Sequence, residues 1–237
     1  SAILDYSVEG KNIENQLDSA LEKVLGVLDF VKAKEAIPFA VFKPSAFGRF
    51  ELLEKVNAKE ALTEAEQAEW NRVVGRYDKV CKKAFDLDVA LLIDAEESWI
   101  QDAADELALS MMRTYNRKKA VIFNTAQLYR WDRIAYLKEL NEKATNEGFK
   151  VGIKVVRGAY MEKERARAEA HGYPNPIQPN KAATDKDFNK ALVYCIDNLG
   201  QIAIVNGSHN ESSNYLMAEL MEKADIVPEN PNTYFAQ

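Results

Sequence analysis

The sequence predicts an α/β fold of parallel strands, on the plan of a (β/α)8 TIM-like barrel. Three observations predict it. Short apolar, β-branched runs alternate with segments of helical period. Nearly every run ends in polar residues. Neither GxGxxG nor GxxxxGK[ST] occurs, so a dinucleotide-binding first turn and a P-loop are both missing. About seven strand-then-helix units can be counted, against the eight that close a barrel. An open doubly wound sheet would show the same alternation. The polar strand ends and the missing glycine-rich turn favour the barrel, whose site is assembled at the C-terminal ends of its strands.

The elements follow in order. Ile3-Leu4 leads into Asp5-Tyr6-Ser7, and Phe39-Ala40-Val41-Phe42 into Lys43-Pro44-Ser45. A helical insertion around 48–87 interrupts the pattern; Thr63-Glu64-Ala65-Glu66 reads there as a capping box, with Trp70, Val73 and Tyr77 as core rather than ligands. Val89-Ala90-Leu91-Leu92-Ile93 precedes Asp94-Ala95-Glu96-Glu97, and a helix over 99–113 stops at Asn116. Val121-Ile122-Phe123 ends at Asn124-Thr125-Ala126-Gln127, and a helix over 131–144 stops before Gly148. Val151-Gly152-Ile153-Lys154-Val155-Val156 runs into Arg157-Gly158-Ala159-Tyr160. Three prolines make 172–179 a loop. Thr184 to Asp187 reads as a weaker capping box before Phe188. Ile202 to Val205 leads to Asn206-Gly207-Ser208-His209-Asn210, a last helix covers 213–223, and Tyr234-Phe235 forms a final strand.

Composition narrows the function. The 237 residues suit one barrel domain over 1–237. A hydrophobic fraction of 47% excludes disorder, and a net charge of −6 argues against nucleic acid as a partner. Two cysteines, Cys81 and Cys195, make no disulfide framework, and with only two histidines a zinc site is not expected. The longest apolar run falls far short of the ~20 residues that span a bilayer. The opening residues read as neither a signal nor a transit peptide, although one could have been removed.

The residues at strand ends are the candidates: Asp5, Lys43, Asp94, Asn124, Lys154, Arg157, Tyr160 and His209. Each has a bland alternative, Asp94 as a helix cap and Asn124 as a turn residue. A barrel would gather them at one rim, where unpaired charges are costly unless they serve a ligand. Lys154 stands out, because a parallel strand buries both faces and its ammonium then needs a partner, Asp94 or an anionic ligand. Gly158 and Ala159 lack bulk, so a planar ligand could approach their backbone; Arg157 could hold phosphate or carboxylate in a fork.

Here the sequence resembles a known family. Lys154-Val155-Val156-Arg157-Gly158-Ala159-Tyr160 with Glu162 to Ala168 is similar to the signature of the FAD-dependent proline dehydrogenases. So are Ile3 to Glu9, Asp94 to Trp99, Ile122-Phe123-Asn124-Thr125, Ser208-His209-Asn210 and Gly172 to Ile177. The matches fall in family order over nearly the whole chain. The resemblance implies a distorted barrel of the proline dehydrogenase type with FAD at its C-terminal rim. It implies oxidation of L-proline to Δ1-pyrroline-5-carboxylate by hydride transfer to flavin N5, with a quinone as the next acceptor.

The resemblance implies roles by position. Lys154 lies near flavin N5 and Asn124 meets the isoalloxazine; Arg157, Gly158, Ala159, Ser208, His209 and Asn210 bind the cofactor. Lys43 and Asp94 form the proline pocket as an ion pair, Tyr160 lies beside the substrate ring, and Asp5 and Glu9 rank lower in the same pocket. The family continues past Gln237 into an eighth strand and a helix with a Tyr and paired arginines, so the barrel is expected to be incomplete and the chain itself inactive. Peripheral membrane contact is expected of a quinone-linked enzyme, at a bacterial inner membrane facing the cytoplasm or in a mitochondrial matrix. A hydroxyproline dehydrogenase and a flavin-binding fragment without turnover remain the alternatives, and no metal is expected.

Overall fold

The computed structural model describes residues 3–5, 13–34 and 36–236. Among them are seven strands and eight α-helices in strict alternation but for paired helices at two points. The strands are β1 (Ile3–Asp5), β2 (Phe39–Phe42), β3 (Ala90–Ile93), β4 (Ile122–Gln127), β5 (Val151–Val156), β6 (Ile202–Gly207) and β7 (Thr233–Ala236). The helices are α1 (Glu14–Lys32), α2 (Phe50–Asn57), α3 (Glu64–Leu87), α4 (Ser98–Tyr115), α5 (Arg133–Glu147), α6 (Met161–His171), α7 (Lys181–Asp197) and α8 (Glu211–Lys223). The chain forms two compact units, Ser1–Asn116 with Val121–Asn124, and Arg117–Ala120 with Thr125–Gln237. None of the described helices is long and apolar enough to cross a membrane.

In the first unit β1, β2, β3 and the start of β4 pair in chain order, all parallel, with Phe42 opposite Ile93 and Leu92 opposite Phe123. All four residues of β2 are buried, as a strand covered on both faces requires. Helix α1 had no expectation, yet Leu17, Leu21, Val24, Leu28 and Val31 line one buried stripe at helical spacing. The capping box is present: Thr63 Oγ1 accepts the Glu66 N–H at 3.2 Å and Glu66 accepts the Thr63 N–H at 2.9 Å. It starts α3, which carries Tyr77 into a ring cluster. Tyr77 meets Phe42 and Phe47 edge-on at 5.2 and 5.8 Å, and those two rings stack at 4.6 Å. The insertion is therefore part of this unit's core; Val73 and Tyr77 are fully buried and Trp70 half-buried. Asn116 does stop α4, and its amide also bonds Val121 and Ile122, seating the start of β4.

In the second unit β5, β6 and β7 pair in parallel, with Lys154 opposite Val205 and Gly207 opposite Ala236. The residues after β4 run beside β5, since Leu128 N–H donates to Val156 O and Tyr129 N–H to Arg157 O. Three expectations need correction. Strand β4 continues to Gln127, so Asn124 lies inside it; the small buried residues Thr125 and Ala126 extend the strand past the first polar side chain. Helix α5 begins at Arg133 rather than at Trp131, whose indole is exposed and donates to Asn175 O. Helix α7 begins at Lys181, because Asn180 Oδ1 caps the Ala183 N–H at 2.9 Å; Thr184 sits inside the first turn and bonds back to Asn180 O. The segment 172–179 is irregular, as its prolines require, and pairs with the β4–α5 loop through the Arg130–Ile177 bridge and Gln178 N–H to Tyr129 O.

Candidate functional site

The first unit holds Asp5, Lys43, Asp94 and Asn124. Asp5 closes β1, and Glu9 lies outside the described residues. Lys43 follows β2 and Asp94 follows β3, and the Asp94 N–H donates to Phe42 O at 3.0 Å. Both are half-buried. The register thus brings these two opposite charges to adjacent strand ends.

A buried polar chain behind them was not foreseen. Glu96 accepts the Ser45 hydroxyl at 2.6 Å and the Ser45 N–H at 2.8 Å. Its own N–H donates to Gln101, whose amide donates to Asp105 Oδ1, and the Asn124 amide donates to the same oxygen at 2.8 Å. Burial pushes the Glu96 carboxyl up; the two Ser45 bonds oppose that, Glu97 adds to it, and the Lys43 charge opposes it. Asn124 therefore addresses helix α4. Alternation along β4 turns Thr125 and Gln127 to the other face.

The second unit holds the remaining candidates. Lys154 is half-buried, not enclosed as expected: on β5 Ile153 and Val155 are buried, while Lys154 and Val156 lie on a more open face. A Cβ at Gly207 on the neighbouring strand would come within 3.7 Å of Lys154 Cγ and 2.9 Å of Val156 Cγ1. Arg157 is well partnered, with Nε on Asp185 at 2.7 Å, Nη1 on Ser208 at 2.8 Å, Nη2 on Ser213 at 2.9 Å, and Phe188 under its guanidinium at 4.3 Å. It ties the end of β5 to α7 and α8.

Gly158 and Ala159 are exposed, which leaves their turn approachable. Gly158 has φ +135°, and its missing side chain faces the Tyr129 ring. The Ala159 N–H donates to Gln127 Oε1 at 3.1 Å. Tyr160 is half-buried ahead of α6, with Lys163 over its ring at 5.3 Å. Ser208 is buried, His209 exposed, and Asn210 caps α8 through the Ser213 N–H. His209 is thus not a core histidine.

Asp132, between Arg130 and Arg133, was also missed. Both guanidiniums donate to its two oxygens, at 2.6 to 3.1 Å. Burial raises its pKa, but the Arg133 bond and the charges of Arg133 and Arg130 outweigh that and hold it at about 2. A folded pKa below the unfolded value of 3.8 stabilises at higher pH and is lost as pH falls from about 4 towards 2. Replacing Asp132 by Asn is expected to remove about 1–2 kcal/mol at pH 7 and much less at pH 2.5. Urea melts at the two pH values check this; an equal loss at both would refute the clamp.

The donor set of the second unit suits an anionic, flat-headed group. Lys154 and His209 supply cationic or donor groups, the Gly158-Ala159 backbone is bare, and the N-terminus of α8 attracts negative charge.

The family model described as proline dehydrogenase matches residues 1–237. The carbapenem antibiotics biosynthesis protein CarD of Pectobacterium carotovorum subsp. carotovorum is 37% identical over 213 residues, covering 90% of this chain and 56% of CarD. The mitochondrial proline dehydrogenase 1 of Homo sapiens is 37% identical over 178 residues, 74% of this chain and 30% of that protein. The crystal structure of proline utilization A from Bdellovibrio bacteriovorus inactivated by N-propargylglycine superposes with a TM-score of 0.84 at 19% identity, covering 98% of this chain and 25% of that one. The chain thus spans little more than half the length of CarD and under a third of the human protein. The structural likeness shows the fold, the TIM-type barrel of proline dehydrogenases, with seven of its strands among the described residues.

Proposed function

The chain belongs to the proline dehydrogenase family, and on that premise, and against the expectation that the chain alone is inactive, we propose that it oxidises L-proline to Δ1-pyrroline-5-carboxylate with FAD. The observation that carries this reading is the family match over all 237 residues. FAD would supply the hydride acceptor. The ring carbon next to nitrogen gives up a hydride, the nitrogen gives up a proton, and a C=N bond forms.

The chain's own residues bind and orient. Lys43 and Asp94, at adjacent strand ends, hold the charged groups of the amino acid. Tyr160 lies against the substrate ring. Lys154 places a cation where negative charge develops on reduction. Ser208, His209 and Asn210 take the polar tail of the cofactor, and the exposed Gly158-Ala159 backbone lets a planar group approach. Arg157 acts mainly by fixing this turn, since three protein groups already engage it. Gln127 supports the amide role better than Asn124 does: Asn124 bonds Asp105 on α4, whereas Gln127 bonds the Ala159 N–H beside the turn.

Electrons pass on to a quinone, with peripheral membrane contact in the whole protein. Bacterial cytoplasm with inner-membrane association is the compartment assigned here. The name of the human relative supports the mitochondrial alternative. Dye-coupled assays with L-proline and with trans-4-hydroxy-L-proline test the substrate. Reduction with proline at least tenfold faster is expected; preference for hydroxyproline would move the chain to the alternative, and no turnover with either would leave the flavin-binding fragment.

A further inference from the structure

We propose that Glu96 is a positioning residue whose carboxylate clamps the turn after β2 to the turn after β3, and so sets Lys43 against Asp94. The inference rests on the reading that Lys43 and Asp94 line the proline pocket. Glu96 is 2% exposed. Both of its oxygens grip one residue, Ser45, by hydroxyl and by backbone N–H, and Ser45 lies two positions after Lys43 in the turn Pro44–Ala46. Glu96 itself lies two positions after Asp94. The carboxylate therefore ties together the two loops that carry the ion-pairing candidates.

The clamp is itself held. The Glu96 N–H, Gln101, Asp105 and Asn124 form one line of hydrogen bonds from the β3 end through α4 to β4. Burying a carboxylate is costly, and an apolar pair would pack these loops at less cost. What the charged group adds is direction: two charge-assisted bonds to one residue admit one geometry of the turn.

The test uses the chain loaded with FAD and three variants, Glu96→Gln, Ser45→Ala and the double variant. Glutamine keeps the size but removes the charge, and its single oxygen can serve only one of the two Ser45 donors unless the hydroxyl turns to accept. The expected result for Glu96→Gln is a KM for L-proline raised about tenfold, with kcat changed less than about threefold. A ring carboxylate shaped like proline but not oxidisable should lose about the same factor of affinity, read as the shift it causes in the flavin visible spectrum. The double variant should be no worse than Glu96→Gln, because both changes break one contact.

Wild-type KM and analogue affinity in Glu96→Gln would overturn the proposal. So would effects of the two substitutions that add independently, or a fall in kcat and melting temperature with KM unmoved, which marks a merely structural role. A wild-type chain whose flavin spectrum ignores both ligands would overturn the pocket reading and the proposal with it; a responsive wild type with an indifferent variant overturns the proposal alone.

Discussion

Replacing Lys154 by Met is expected to slow flavin reduction by L-proline by about 10²–10³-fold while the chain keeps its fold. The asymmetry follows from where the residue sits. Its neighbours Ile153 and Val155 are buried and anchor β5, while Lys154 itself is only half-buried. Gly207 alongside leaves room for its stem. A long side chain so placed packs its methylenes against its neighbours. Methionine keeps the stem and removes the cation. Stability should therefore move by less than about 1 kcal/mol. What disappears is a positive charge preorganised where electron density builds up, and removing one such group typically costs the rate far more than the fold. Single-turnover reduction kinetics and thermal melts of both forms decide it. Unchanged kinetics would remove Lys154 from the site.

The second large effect is on stability. Gly158→Ala should destabilise the chain by about 3 kcal/mol or more, lowering Tm by roughly 6–12 °C. At φ +135° an L side chain is strained whatever surrounds it. The added Cβ would also stand 2.5 to 2.6 Å from three atoms of the Tyr129 ring. That ring cannot withdraw easily. It is buried, its N–H is bonded to Arg157 O, and its carbonyl accepts the Gln178 N–H. Gly26 serves as the contrast: it lies inside α1 with nothing within 4 Å of an added Cβ, and Gly26→Ala should stabilise by about 0.5–1 kcal/mol. Equal melting of wild type and Gly158→Ala would refute the packing of Tyr129 on the turn.

The two predictions also mark where the sequence was readable. The run Val151 to Val156 is strand β5 residue for residue, because a β-branched apolar run next to a turn has few other outcomes. The Thr63–Glu66 capping box formed as written, since its chemistry is local. Asn180 and Asn124 show the limit. A cap at Asn180 outcompeted the weaker signal at Thr184, and β4 ran through Asn124, whose amide N–H the buried Asp105 accepts. The Asn180 cap is local and was there to be read, whereas Asp105 lies 19 residues from Asn124 and only the tertiary fold brings them together.

The same holds for the site. Lys43, Asp94, Lys154 and the Arg157–Tyr160 turn stood out as candidates, because charge at the end of an apolar run is conspicuous. Glu96, Gln101 and Asp105 were not: a Glu or Gln near a helix start reads as solvated, and only tertiary packing makes it buried. Asp132 drew no expectation either, since only the folded chain sets Arg130 and Arg133 on its carboxylate. Gln127 stood among the polar residues after the run Val121-Ile122-Phe123, but ending β4 at Phe123 hid which face it occupies.

The most direct measurement is the visible spectrum of the purified chain with FAD under anaerobic conditions, before and after adding L-proline. The account predicts loss of the oxidised-flavin absorbance on addition of proline, and retention of that absorbance with Lys154→Met over the same interval. A bound flavin that stays oxidised in the wild-type chain at saturating proline would contradict it.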